Sequence, residues 1–212
     1  MPTLTVIAGQ NGSGKSTLVK AQRLKTIDPD QITRSYGQGY TTAANLQAGR
    51  EAVRQQNEAI TNGQSFGIET TLSSRQPIVK MEEAREAGYK VKLAFVIPEN
   101  DNTRLRIDNR VNEGGHNISD VDLERRRPRI VENLPQAMKQ ANMTALYLSN
   151  TETRDFRLVG AAYNGEVKLT PEVPEHIQAT IKQHFDVQQV DSISPHHPIT
   201  HHFQPHVQQR DY

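Results

Sequence analysis

The residues with the clearest chemistry form a glycine-rich loop that directly follows the apolar run Leu4–Ala8. The loop fits the spacing G-x-x-x-x-G-K-[ST], and its members are Gly9, Gln10, Asn11, Gly12, Ser13, Gly14, Lys15, Ser16 and Thr17. In such a loop the backbone N–H groups surround phosphate oxygens, Lys15 reaches the β- and γ-phosphates, and Ser16 holds Mg²⁺. A surface turn followed by an N-capped helix is the alternative, but the full match between a predicted strand and a predicted helix favours a binding site for ATP and Mg²⁺.

Asp30 follows a short predicted strand, residues 25–27, one βα unit after this loop. A carboxylate there would face the γ-phosphate across a cleft, where a kinase needs a base that deprotonates the attacking hydroxyl. The alternative is that Asp28 and Asp30 cap the segment that follows them. Asp30 is therefore a candidate for catalysis and for substrate binding.

Glu69 ends another predicted strand, residues 65–69, and is followed by two threonines. Buried carboxylates seldom serve packing, so Glu69 is a candidate for substrate or Mg²⁺ binding rather than for capping the next loop. Ligands of parallel α/β sheets bind beyond the carboxyl ends of the strands. This rule predicts one common rim for four positions: Gly9, Asp30, Glu69 and Pro98.

Arginines are concentrated in residues 103–129, around Gly114-Gly115-His116. On a helix Arg106 and Arg110 share a face, so they can neutralise charge that develops during phosphoryl transfer. The glycine pair offers a hinge, and the segment predicts a helical lid that closes over ATP. The alternative, a solvated helix face paired with neighbouring acids, is favoured for three others: Arg104, Arg127 and Arg129. An RNA-binding patch is disfavoured because acids are interleaved and aromatic residues are lacking.

Strand and helix patterns alternate along the chain, which predicts βαβ units and a mostly parallel sheet. We expect a three-layer α/β sandwich with about five strands, a helical lid over 103–129, and a C-terminal hairpin plus helix. In the helix predicted for 42–61, one stripe is expected to face the core, namely Leu46, Gly49, Val53 and Ile60. The other predicted elements are helices at 16–24, 77–87 and 173–185, strands at 89–97 and 145–148, and a hairpin at 156–169 around Asn164-Gly165.

The composition changes from residue 191 onwards, where histidine alternates with proline and glutamine. With little to bury, residues 191–212 are predicted to form a flexible tail, and residues 1–190 the P-loop domain. A solvated extension is favoured over a metal site, since the tract lacks regular spacing and nearby carboxylates.

The remaining composition sets broad limits on the class of protein. The chain has 212 residues, a formal net charge of +1 and no cysteine. The charge gives no field that would recruit nucleic acid, and the lack of cysteine excludes disulfides and thiol nucleophiles. Neither a signal sequence nor a long apolar run is evident, so we expect a cytoplasmic protein without a membrane segment.

Several of these segments together resemble the zeta-toxin family of P-loop kinases, over about residues 3–150. They are IAGQNGSGKST at 7–17, Asp-Pro-Asp at 28–30, Glu-Thr-Thr at 69–71, Arg-Val-x-x-Gly-Gly-His-x-Ile at 110–118, Arg125-Arg126, and Asn-Leu-Pro at 133–135. The lid motif with its downstream arginines is the more specific part, because unrelated ATPases share the glycine-rich loop.

The resemblance implies roles for single residues. Lys15 corresponds to the phosphate-binding lysine, Ser16 to the Mg²⁺ ligand and Asp30 to the base acting on a sugar hydroxyl. The other implied positions are substrate contacts (Glu69, Thr71, Arg75), catalytic arginines (Arg106 or Arg110, with Arg125 or Arg126 as the second) and a further ATP contact (His116). Characterised zeta toxins phosphorylate the 3′-hydroxyl of UDP-N-acetylglucosamine and are inhibited by a small helical antitoxin, so both are implied as partners.

Three functions are therefore compatible with the sequence. The favoured one is a small-molecule kinase of zeta-toxin type acting on a UDP-amino sugar. A kinase for another small hydroxyl compound would use the same Asp30 and lid arginines. An NTP-driven binding switch would need a residue that orients water, and the sequence identifies none.

Overall fold

The computed structural model describes residues 1–37, 41–99, 120–150, 153 and 155–203. Its strands are β1 (Thr3–Ala8), β2 (Phe66–Thr70), β3 (Lys90–Pro98), β4 (Met143–Ser149), β5 (Phe156–Tyr163), β6 (Glu166–Leu169) and β7 (Val187–Gln189). Within the described residues they form one seven-stranded sheet in the order β2-β1-β3-β4-β5-β6-β7. Strands β2, β1, β3 and β4 are parallel, β5 is antiparallel to both of its neighbours, and β7 pairs parallel with β6.

Helices cover both faces of this sheet. They are α1 (Lys15–Ala21), α2 (Pro29–Ser35), α3 (Thr42–Thr61), α4 (Gln76–Glu86), α5 (Asp120–Gln140), α6 (Glu175–Lys182) and α7 (Pro198–Phe203). Successive residues of β1 point to opposite faces: Val6 joins the apolar core formed with α4, α5 and α6, whereas Ile7 joins the core formed with α1 and α7. The predicted three-layer α/β sandwich is confirmed, and β5, β6 and β7 make its sheet larger than the five strands expected.

The segment predicted as a strand at 25–27 makes only a single parallel bridge, between Thr26 and Gly67. Two backbone hydrogen bonds accompany it, from Ile27 N to Gly67 O and from Gly67 N to Lys25 O, each 2.9 Å long. The contact still brings the chain to the edge of β2. Asp28 follows immediately and begins α2.

Helix α3 has the predicted bounds, but a different face is buried. Leu46 is 58% exposed, whereas Ala44, Ala48 and Ala52 are buried. Both stripes satisfy a helical period, and the sequence favoured the larger side chains. The prediction is wrong for Leu46, whereas Ile60 packs against the core. The alanine face is buried because α3 packs against α2, and these small side chains allow the two helices to approach closely.

The hairpin between β5 and β6 is confirmed, with Asn164 and Gly165 both at positive φ. The expectation that the chain has little to bury beyond residue 191 is wrong for α7. Ile199 is fully buried and Phe203 is 1% exposed. Gln22 Nε2 and the Tyr147 hydroxyl both donate to Phe203 O, at 3.0 and 3.1 Å. These two apolar side chains and the hydrogen bonds to Phe203 O attach this part of the chain to α1 and β4.

None of the helices in the described part of the chain is long and apolar enough to cross a membrane.

Candidate active site

The glycine-rich loop connects β1 to α1 and depends on left-handed backbone at its glycines. Gly9, Gly12 and Gly14 have φ angles of 145, 74 and 96°, which side-chain-bearing residues adopt only with strain. A Cβ atom at Gly9 would lie 2.3 Å from Val96 O, so β3 approaches the loop too closely for any other residue. Gly14 then caps α1, and its carbonyl accepts from Thr17 N and Leu18 N at 3.0 Å.

Polar groups inside the loop are arranged for an anion. Lys15 is only 7% exposed, and its Nζ donates to Gln10 O at 2.8 Å. The Ser13 hydroxyl is fully buried and has no hydrogen-bond partner within the described structure. An unpaired buried donor beside a lysine and a helix N-terminus is suited to a phosphate oxygen.

Ser149, the last residue of β4, supports the loop from the neighbouring strand. It is 1% exposed, and its Oγ donates to Ser13 O at 2.6 Å. No sequence pattern predicts this role, because a serine at a strand end has no distinctive signature. The bond connects residues 136 positions apart and holds the loop at its centre.

Ser16 and Glu69 meet at the start of α1. The Ser16 Oγ donates to Glu69 Oε1 at 2.8 Å, since parallel pairing sets Ile7 of β1 opposite Glu69 of β2. A hydroxyl and a carboxylate beside a phosphate site suit Mg²⁺, which takes one or two protein oxygens together with phosphates. Among the described residues, no cluster of three or more His, Asp or Glu side chains could hold a metal.

Asp28 and Asp30 occupy different positions at the start of α2. Asp28 is the N-cap, and its Oδ1 accepts from Asp30 N at 3.0 Å. Burial raises the pKa of Asp28 to about 6, although the bond from Asp30 N opposes the shift; the negative charges of Glu69 and Asp30 raise it further. Asp28, Asp30 and Glu69 are thus close enough to interact through charge. The capping alternative holds for Asp28, which leaves Asp30 as the candidate base.

The loop after β2 carries the other predicted substrate contacts. Leu72 is fully buried with φ of 64°, and its carbonyl accepts from Asn133 Nδ2 of α5 at 2.9 Å. Thr71 Oγ1 and Ser73 Oγ lie 2.8 Å apart. Arg75 is exposed at the start of α4. The loop is therefore shaped by one strained residue and anchored to α5.

Only some of the predicted catalytic arginines lie within the described residues. Arg106, Arg110 and His116 lie outside the described residues. Arg125 is exposed and pairs with Asp122 at 2.6 Å. Arg126 is half-buried on α5, three residues after buried Leu123 and four before buried Ile130. Among the two downstream candidates, the inward-facing position belongs to Arg126.

A cavity of about 550 Å³ lies beside the loop, between the end of β3, α5 and α6. Gln10 reaches it, and the rest of its wall is mostly apolar, with Phe95, Ile97, Ile130 and Ile177 among the lining residues. The predicted substrate contacts are not among the described residues of this wall. The cavity therefore borders the phosphate-binding loop at Gln10.

Comparison with known proteins identifies the family. Residues 1–155, well over half of the chain, match the zeta toxin family. An uncharacterised protein of Haemophilus influenzae is 35% identical over 116 residues, which cover 53% of this chain and 83% of the relative.

Two solved structures share the fold at lower identity. A chain of the AvrRxo1-ORF1:ORF2 complex with ATP has a TM-score of 0.66 at 17% identity, covering 87% of this chain. The match spans 64% of that neighbour's own length, less than two thirds. A chain of the PezAT chromosomal toxin–antitoxin system of Streptococcus pneumoniae has a TM-score of 0.57 at 16% identity, covering 87% of this chain and 78% of its own. With the family match and the P-loop geometry together, the chain belongs to the zeta toxin family, whose members are P-loop kinases that transfer phosphate to a hydroxyl group.

Proposed function

We propose that this protein is an ATP-dependent kinase that phosphorylates a hydroxyl of a UDP-amino sugar, with UDP-N-acetylglucosamine as the candidate substrate. The observation that carries the proposal is the 2.8 Å contact between Ser16 Oγ and Glu69 Oε1. It joins the phosphate-binding loop to the acidic rim formed by Asp30 and Glu69. A γ-phosphate on the loop would therefore lie beside groups that can bind and activate an acceptor. The choice of sugar nucleotide rests on the family resemblance.

Each side of the transfer has its own residues. Lys15 and the loop N–H groups stabilise negative charge on the transferred phosphoryl group, and Asp30 accepts the proton of the attacking hydroxyl. Ser16 and Glu69 would hold Mg²⁺, which would supply neutralisation of the triphosphate's negative charge. Glu69, Thr71 and Arg75 bind the acceptor. Arg106 or Arg110 is proposed as the catalytic arginine, with Arg126 as the second.

We also propose a small helical antitoxin as a partner and the cytoplasm as the site of action. The toxin–antitoxin system among the structural neighbours supports such a partner. A kinase for another small hydroxyl compound is the second candidate, since Asp30 and Lys15 would serve it equally.

ATP turnover with and without UDP-N-acetylglucosamine tests the proposal. We expect stimulation by the sugar nucleotide and a product phosphorylated on the 3′-hydroxyl, identified by ³¹P NMR. UDP-N-acetylmuramic acid, whose 3′-oxygen is already an ether, is the matched control and should give no stimulation. Stimulation only by unrelated hydroxyl compounds would support the second candidate, and slow hydrolysis independent of any acceptor would support a switch.

A further inference from the structure

One aromatic side chain beside the phosphate-binding loop has no role in the reaction proposed above. Phe156 is the first residue of β5 and is half-buried. Two of its ring carbons lie 3.5 and 3.6 Å from where a Cβ of Gly14 would be. The ring also meets Tyr147 edge-to-face, with centroids 6.4 Å apart and planes at 84°. A partly exposed ring therefore stands at the N-terminus of α1.

The position of this ring relative to the acidic rim is informative. In the sheet order, β2 with Glu69 lies on one side of β1, whereas β3, β4 and β5 lie on the other. In the proposed function, the γ-phosphate end of the nucleotide would lie at the contact between Ser16 and Glu69. Because a triphosphate is a linear chain, the nucleoside attached to its α-phosphate must leave the loop on a different side. On that side, the side chains nearest to Gly14 are those of Ser149 and Phe156.

Tyr147, which contacts the Phe156 ring, is buried and hydrogen-bonded. Tyr147 is 4% exposed, and its hydroxyl donates to Phe203 O at 3.1 Å, which ties the ring pair to α7. Ser149, two residues along the same strand, fixes Ser13 O. An aromatic face held in place at the edge of a phosphate site can stack on a nucleobase, because every base offers a π-face.

We infer that Phe156 is a base-contacting residue of the nucleotide site, and that the adenine ring of ATP packs against its exposed face. The inference rests on the proposed function, since it requires a triphosphate on the loop. Stacking of this kind contributes to affinity for a nucleotide but nothing to affinity for a ligand that lacks a base.

Binding of two probes, ATP and inorganic tripolyphosphate, measured by calorimetry, separates base contact from support of the loop. Phe156→Ala should weaken ATP binding about tenfold or more and change tripolyphosphate binding by less than about twofold. Phe156→Tyr keeps the ring and should bind both probes as the unchanged protein does. Phe156→Leu keeps apolar packing against Gly14 and should show the same selective loss if the alanine variant fails to fold. Leu158→Ala, a partly buried residue on the same face of β5, is the matched control and should affect neither probe.

The outcomes distinguish the two proposals. Equal weakening of both probes by Phe156→Ala and Phe156→Leu would make Phe156 a packing residue of the loop and overturn the inference. If binding of both probes depends on Lys15 but is unchanged by the Phe156 substitutions, the inference is overturned as well. The kinase proposal would not be affected by this result. Failure of the unchanged protein to bind either probe would overturn both.

Discussion

The phosphate side and the acceptor side of the site are held by different parts of the structure. On the phosphate side, the loop is fixed by main-chain conformation, by the close approach of Val96 O to Gly9, and by the hydroxyl of Ser149. On the acceptor side, Asp30 and Glu69 are half-buried and lie beside Asp28, whose pKa is raised first by burial and further by their negative charges. The first side therefore depends on shape and the second on charge, so different substitutions should disturb them.

Removal of the Lys15 ammonium should have the largest effect on catalysis. Lys15→Ala is expected to lower kcat/KM by about 10²–10³, because a contact to the transferred phosphoryl group is lost. Circular dichroism should show an unchanged fold, and steady-state kinetics gives the loss. Lys20→Ala, on the exposed face of the same helix, is the control. Retention of more than about a tenth of the activity would contradict the phosphate role.

Asp30→Asn tests the acceptor side by removing charge at constant volume. Phosphorylation of the substrate should fall by about 10² or more, with ATP affinity little changed, since the base acts on the acceptor. Asp28→Asn is the matched control and should lose much less activity, because asparagine also caps a helix. A parallel loss of ATP binding would instead assign Asp30 to the metal, and unchanged catalysis would leave it a structural residue.

Ser149→Ala tests the supporting contact on the phosphate side. It leaves the buried carbonyl of Ser13 without this donor, which typically costs about 1–3 kcal/mol. We expect the KM for ATP to rise about tenfold, with a smaller change in kcat. Thr144→Val is the control on the same strand, because its buried hydroxyl makes no hydrogen bond within the described structure. Equal behaviour of the two variants would show that the bond does not hold the loop.

The smallest expected effect is a pH dependence of stability from Asp28. Its folded pKa is about 6, above the ordinary value of 3.8, so between about pH 4 and 6 the folded state binds more protons than the unfolded state. The free energy of unfolding should therefore decrease as pH rises through this window and level off above it. Asp28→Asn should abolish the decrease and stabilise the metal-free protein at pH 7.5 by about 1–2 kcal/mol. Urea unfolding across this pH range measures the free energy of unfolding. If the Asp28→Asn variant showed the same decrease with pH, a group other than Asp28 would be responsible for it.

Local patterns predicted the elements that carry their own signals. The loop Gly9–Thr17, helix α3 and the Asn164-Gly165 turn all depend on residue types at short spacing, and the structure contains each of them. The roles given to Asp30, Arg75 and the lid arginines stay predictions. Arg106, Arg110 and His116 lie outside the described residues.

Other features depended on neighbours that are distant in sequence. The buried stripe of α3 was decided by the helix it packs against, and the burial of Ile199 and Phe203 by a surface formed from α1 and β4. The assignment of Asp28 as the N-cap of α2 required the start of that helix to be known. None of these has a pattern within a short window, because each depends on which surfaces meet.

The sequence by itself determined the phosphate-binding loop and the α/β class, since glycine geometry and the alternation of apolar residues are local properties of the chain. Only the tertiary structure decided that Glu69 reaches Ser16, that Ser149 holds Ser13 and that Phe156 borders Gly14. These pairs are brought together by strand order and register. Strand order depends on the packing of the whole sheet. The strands that pair and bury side chains against one another come from distant parts of the sequence.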